Sequence, residues 1–229
     1  TPPPVSKKIN EKLDEATIAA STDFNYNVKS KLPNDITTYK SYVISDTLDE
    51  NLEAGKAVIK GDAAKFFDVT VAGNTVTATM KDFARAEDLA NKEVELVITA
   101  KVKKESTVPV IENKAKVTYT NKNDQGGEKE TEPVRVTPPP VSKKVNNQEH
   151  ADLGSLRETF NYDVESKIPD VADKFEISDE LVPELTFDGQ ATVQIDGKEV
   201  KDATVKTAGQ KLTVTFEKDQ IAAYAGKTV

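Results

Sequence analysis

Cysteine and tryptophan are absent from this 229-residue sequence, and histidine and methionine occur once each. No disulfide can form, and neither a metal site built on Cys or His nor a Cys–His nucleophilic pair can be assembled from that set. The single histidine, His150, lies in the polar stretch Asn147-Gln148-Glu149-His150-Ala151-Asp152 and reads as a solvated loop residue. Positive charge is also scarce: 39 Asp and Glu outweigh 31 Lys and Arg, a net charge of −8. Such a chain has no excess of cations for neutralising phosphates, so no nucleic acid is expected as a partner. No apolar run approaches membrane-spanning length, and no signal peptide is present, so no membrane insertion is expected of this stretch. A phosphate-cradling Gly-rich loop is missing, as are paired carboxylates at a hydrolytic spacing. No cofactor is expected, and the chain does not read as an enzyme.

Hydrophobic residues make up 37% and charged residues 31%. That is lean for a globular protein but richer than a disordered one, and fits small cores in slim β domains. The dominant pattern is a repeat. Thr1-Pro2-Pro3-Pro4-Val5-Ser6-Lys7-Lys8-Ile9-Asn10 returns as Thr137-Pro138-Pro139-Pro140-Val141-Ser142-Lys143-Lys144-Val145-Asn146. Phe24-Asn25-Tyr26-Asn27-Val28 returns as Phe160-Asn161-Tyr162-Asp163-Val164, and Ile44-Ser45-Asp46-Thr47-Leu48 as Ile177-Ser178-Asp179-Glu180-Leu181 after a shorter loop. The expected domains are therefore 1–136 and 137–229. The second copy is C-terminally incomplete, because nothing in it answers to Glu95 through Val136. The sequence reads as a fragment of a longer array, its Pro-rich joints acting as stiff spacers.

Each copy alternates with period two, as in Phe24-x-Tyr26-x-Val28, Val94-x-Leu96-x-Ile98-x-Ala100-x-Val102 and Ile111-x-Asn113-x-Ala115-x-Val117-x-Tyr119. Turn residues separate these runs, and Asp196-Gly197 marks a two-residue hairpin. Short helical segments are expected at Lys81 to Leu89 and Lys218 to Tyr224. Tyr42, Phe66 and Phe67 fall in strand patterns and are expected in the core. Asn121 to Glu128 is expected to be a polar tip between strands rather than a calcium loop. The fold class is all-β: two tandem immunoglobulin-like β-sandwich domains, the second truncated before its last strands.

Three polar residues stand in the core phase of the alternation. Lys7 shares a face with Val5 and Ile9 while Lys8 points away. Asp46 is in phase with Ile44 and Leu48, and Asn113 with Ile111 and Ala115. In the second copy Lys143 and Asp179 take the corresponding positions, with Lys144 pointing out. Buried charge costs several kcal/mol unless paired or neutralised. One account is a buried Lys–Asp ion pair with Asn as a hydrogen-bond partner. The other is chemical. Burial lowers the lysine pKa and raises that of the aspartate, leaving a neutral amine that can attack a neighbouring amide with Asp46 as acid and base.

These motifs resemble the isopeptide-bond-forming Ig-like stalk repeats of Gram-positive cell-wall-anchored fibrillar adhesins and pilins, of the collagen-adhesin A type. The resemblance rests on the Pro-rich lead, Val5-Ser6-Lys7-Lys8-Ile9, Ile44-Ser45-Asp46-Thr47-Leu48 and Asn113-Lys114-Ala115-Lys116-Val117-Thr118-Tyr119. It covers nearly all of the first copy and two-thirds of the second. It implies a Lys7–Asn113 cross-link between the first and last strands, catalysed by Asp46, with Asp179 as its counterpart. Lys143 has no acceptor, since Asn146, Asn147 and Asn161 lie on early segments. The second copy would close only with a strand supplied in trans. The implied role is a structural stalk on the secreted, cell-wall-anchored surface of a bacterium. Its partners would be neighbouring repeats of the same polypeptide, with any host ligand held by a tip domain elsewhere. The rival from another class is a ligand-binding adhesin module recognising a host protein or glycan, in which Lys, Asp and Asn form only a buried polar network.

Overall fold

The computed structural model describes residues 2–145, 148–151, 154–155 and 157–229, and only the backbone of Val141, Ser142, Lys144 and Val145. The outward direction expected for Lys144 and the placement of Asn146 and Asn147 lie outside what is described. The chain divides into two units: Thr1–Ala16 with Ala20–Thr137, and Thr17–Ala19 with Pro138–Val229.

In the first unit one sheet consists of β1 (Val5–Ile9), β3 (Asp23–Lys31), β8 (Glu93–Val102) and β5 (Leu52–Ile59), hydrogen-bonded in the order β1-β3-β8-β5. A second sheet runs β11-β10-β4-β7-β6. It is built from β4 (Tyr39–Thr47), β6 (Phe67–Ala72), β7 (Thr75–Met80), β10 (Ala115–Asn121) and β11 (Gly126–Glu130). A small third sheet joins β2 (Glu15–Thr17), β12 (Val134–Thr137) and β9 (Ile111–Asn113). The alternation read from the sequence becomes burial. Every second residue of β8 from Val94 to Val102 is buried, and so are Phe24, Tyr26 and Val28 on β3 and Tyr42 and Ile44 on β4. Two half-buried faces of this kind can only be stable when packed against each other, which is the sandwich.

The second unit repeats the opening of this plan. β13 (Val141–Val145) pairs with β14 (Tyr162–Ser166) in the register of β1 with β3, so that Lys143 lies opposite Val164 as Lys7 lies opposite Val28. β15 (Lys174–Glu180), β19 (Lys211–Glu217) and β18 (Thr204–Ala208) form a three-stranded sheet. β16 (Val193–Ile195) and β17 (Lys198–Val200) make the expected hairpin, with Asp196 and Gly197 both at positive φ (47° and 80°). Two successive left-handed residues match the twist of the flanking strands, which explains the Asp-Gly pair. Helix α1 (Lys218–Tyr224) follows, its start marked by the Glu217 N–H donating to the Gln220 side chain at 2.8 Å. Ile168, Phe175, Val193, Ile195, Val214, Phe216 and Ile221 form its core.

Three local expectations change. Lys81 to Leu89 is not a helix but two single 3₁₀ turns, Phe83–Arg85 and Glu87–Leu89. Asp82 sits in the left-handed region (φ 55°) just before the first turn, and Ala86, between the turns, has ψ 15°, so the chain cannot propagate an α-helix there. The run Ile111 to Tyr119 is not one strand. At Lys114 it leaves the small sheet, where β9 pairs with β12, and enters the large one, where β10 pairs with β4. Asn113 is therefore not on the last strand of the unit, because β10, β11 and β12 follow it. The Asn121 to Glu128 segment is a polar tip, in which the Asn121 side-chain oxygen accepts from the N–H groups of Asn123 and Gln125, both at 2.9 Å.

Candidate functional site

Lys7 is fixed by its place on β1, opposite Val28, on the face that also buries Ile9. Asp46 reaches the same interior from the other sheet. It lies near the end of β4, opposite Ala115 on β10 and Val76 on β7. Asn113 precedes Ala115 by two residues and shares its face, so it is the diagonal neighbour of Asp46 across the switch at Lys114. All three are buried. The Lys7 ammonium donates to Asp46 Oδ2, and both side chains are 0% exposed. Three strands chosen by side-chain phase alone thus bring a lysine, an aspartate and an amide together in the core.

The electrostatics of the pair run the way a neutral pair requires. Burial is the largest influence on Lys7 and brings it down from 10.5 to about 8, against the opposing pull of Asp46. Burial likewise raises Asp46 above its ordinary 3.8, opposed first by the Lys7 charge and its hydrogen bond, and then by the Asn113 amide. No well-formed hydrogen bond joins Asp46 to Asn113, however. Asp46 Oδ1 and Asn113 Nδ2 are both buried without a partner. Unpaired buried polar atoms are costly, so these two mark a strained polar site in the core.

A chain carrying Asn113→Ala keeps this pair but has no amide to react, so its stability should record both shifts. Between 3.8 and the raised folded value of Asp46 the folded state holds the extra proton, so stability falls as pH rises through that window. Between about 8 and 10.5 the unfolded chain holds the extra proton on Lys7, so stability rises with pH. Urea midpoints measured across pH should pass through a minimum near neutrality. A flat profile between 8 and 10.5 would mean that Lys7 keeps its proton in the core.

The second unit assembles a partial copy. Lys143 Nζ lies 2.8 Å from Asp179, joining the same two strand positions. Contrary to the expectation that Lys143 points into a core, its side chain is 40% exposed and that of Asp179 19%. The phase of the alternation is kept. In the first unit β10 and β12 lie against β1, and no strand after β19 is described in the second.

The alternation left other polar groups of this core unremarked. Ser30 and Tyr42 are buried with their hydroxyls 2.5 Å apart, and Tyr42 is pushed up to about 12, chiefly by burial. Buried Asn27 accepts from the Glu11 N–H at 2.8 Å, which caps a turn made by two left-handed residues, Asn10 and Glu11. Ser30 continues the buried row of Phe24, Tyr26 and Val28, where its polar character could have marked it, whereas Asn27 is buried on the opposite face, across from Lys8, where alternation gives no signal. Lys8 pairs with Asp14 at the surface, at 2.5 Å, as its outward phase predicts. His150 is exposed.

No protein-family model matches the chain. Along its whole length it is 65% identical to part of platelet adherence protein A of Streptococcus gordonii, and it spans only 6% of that protein. The crystal structure of BcpA, the major pilin subunit of Bacillus cereus, superposes with a TM-score of 0.56 at 27% identity, over 95% of this chain and 67% of the pilin. The full-length major pilin SpaD of Corynebacterium diphtheriae shares the fold at a TM-score of 0.52 and 17% identity, over 98% of this chain and 53% of SpaD. In fold the chain is similar to Ig-like domains of Gram-positive major pilins, and in sequence to a short part of a streptococcal adhesin.

Proposed function

We propose that the first unit is a structural domain of a Gram-positive surface adhesin or pilus-like fibre that locks itself with a Lys7–Asn113 isopeptide bond. The observation that carries this reading is the fully buried Lys7–Asp46 pair with the Asn113 amide as its diagonal neighbour. Transfer of the Lys7 proton to Asp46 leaves a free amine lone pair, which attacks the Asn113 side-chain carbonyl carbon. Protonated Asp46 polarises the carbonyl oxygen and steadies the charge that develops on it. As the C–N bond forms, Nζ gives up a proton, which Asp46 relays to Nδ2. The old C–N bond then breaks and ammonia leaves, so that one amine and one amide become one amide and one ammonia. Asp46 keeps the proton it first took from Lys7, so a neutral acid is left beside the new amide, and the reaction turns over once. The rigid core supplies the proximity that makes an unactivated amide reactive.

In the second unit Lys143 and Asp179 are the corresponding nucleophile and acid, waiting for an acceptor asparagine. The two units, 1–136 and 137–229, are read as neighbouring repeats of a cell-wall-anchored stalk. The name of the S. gordonii relative favours a second reading, a module that itself grips a host ligand. Burial of Lys7, Asp46 and Asn113 speaks for the first reading, since gripping groups must reach the surface. Intact mass of the full chain is the test. A deficit of one ammonia is expected, with a linked peptide containing Lys7 and Asn113 after digestion. The full sequence mass would overturn the proposal.

A further inference from the structure

Beneath the Lys7 amine lies a side chain that the reaction as written does not use. Tyr26 on β3 is 0% exposed, and the Lys7 Nζ sits 4.0 Å from the centre of its ring. Tyr26 lies opposite Ile9 on β1, so it is the diagonal neighbour of Lys7 on the buried face. Phe24 meets the ring edge-on, with centroids 5.1 Å apart and planes at 81°, and so fixes its orientation. The Tyr26 hydroxyl, by contrast, has no hydrogen-bond partner. What Tyr26 offers Lys7 is its face.

The second unit repeats the arrangement. Lys143 Nζ lies 4.1 Å from the centre of the Tyr162 ring, and Phe160 meets that ring edge-on at 5.1 Å and 79°. There the lysine is partly exposed and no counterpart of Asn113 exists in the sequence, yet lysine, aspartate and tyrosine stand together as in the first unit. The grouping is therefore a property of β1, β3 and β4 in the first unit and of β13, β14 and β15 in the second, independent of the amide.

We infer that Tyr26 is a positioning residue for the cross-linking reaction: its ring face holds Nζ against Asp46 and carries the positive charge that builds on nitrogen as the new bond forms. The inference rests on the isopeptide reading. A neutral amine has little attraction for a ring face, but an amine attacking a carbonyl becomes cationic until its proton passes to Asp46. At that moment the negative face of the ring, in a site closed to water, stabilises it most. Before the amide arrives, the same face keeps the flexible lysine chain from wandering away from its acid, as it does for Lys143.

The test follows ammonia loss over time by intact mass, in full-length chains harvested after a short pulse of synthesis. Tyr26→Phe keeps the face and removes only the unpartnered hydroxyl, so it should close within about twofold of the parent rate. Tyr26→Leu and Tyr26→Met fill the space without a ring and should close about tenfold more slowly or worse, as loss of a desolvated cation–ring contact implies. Thermal unfolding of each variant in an Asp46→Ala background, where no bond forms, identifies those that fold. A folded Leu or Met variant closing at the parent rate overturns the inference, and so does a Phe variant as slow as Leu. A parent chain that never loses ammonia would instead overturn the isopeptide reading itself.

Discussion

Asp46→Ala should restore the full mass of the chain and lower the stability of the first unit by about 5 kcal/mol or more. Two losses combine in it. The covalent loop between Lys7 and Asn113 spans roughly 100 residues, and closing a loop of that size is worth about 4–5 kcal/mol by the chain-entropy account. The substitution also strips Lys7 of the counter-ion it has among the described residues, in a site with 0% side-chain exposure. Breaking a buried pair by removing one partner costs about 3–5 kcal/mol. Part of that is recovered because a lysine already drawn down to about 8 can discard its proton altogether. For a unit of this size the melting temperature should fall on the order of 20 °C. A variant that still lacks one ammonia would remove Asp46 from the chemistry, and one that melts with the parent would remove the bond from the stability.

The double substitution Lys7→Met with Asp46→Leu separates the cross-link from the simple ion pair, and its sign is the point. If the site were only a buried salt bridge, replacing both charges with apolar groups of similar volume would be neutral, or stabilising by about 1–4 kcal/mol, since the desolvation cost of both ions disappears. If Lys7 is bonded to Asn113, the same substitution removes the bond and should destabilise by about 4–5 kcal/mol despite good packing. Each single substitution lowers stability under both accounts, so only the double variant discriminates. Denaturant midpoints of parent and double variant suffice. A double variant at least as stable as the parent would leave Lys7, Asp46 and Asn113 as a polar network.

The reason so much of the site could be read from sequence is that side-chain direction has a strict period of two in a strand. Lys7, Asp46 and Asn113 were found by phase alone, and all three are buried where phase puts them. Phase does not report hydrogen-bond partners, which is why the change of sheet at Lys114 was invisible: alternation continues smoothly through it while the neighbouring strand changes from β12 to β4. Nor does phase report cover. Lys143 has the inward phase of Lys7 and stays 40% exposed, because burial depends on what lies above a face as well as on which face is chosen. Tyr26 was legible as a core residue and no more. Its role came from a centroid distance to Lys7, a diagonal relation that no spacing along one strand expresses. The turns at 83–85 and 87–89 escaped because helical spacing cannot foresee a left-handed Asp82.

The change of sheet at Lys114 fixes where a covalent ring would end. A bond at Asn113 makes residues 7 to 113 a closed loop, and the chain beyond it, β10 to β12, a tail of the ring. That tail holds its place without a covalent tie, by the pairing of β10 with β4 and β11 and of β12 with β2 and β9, and by the buried Ala115, Val117, Val134 and Val136. Tension applied through the ends of the unit would enter at β1, cross to Asn113 through the bond, and leave along the tail. The ring would stay shut while the tail took the load. With that bond in place the first unit would be a rigid link with one short, reversible spring, its give set by the three strands that follow Asn113.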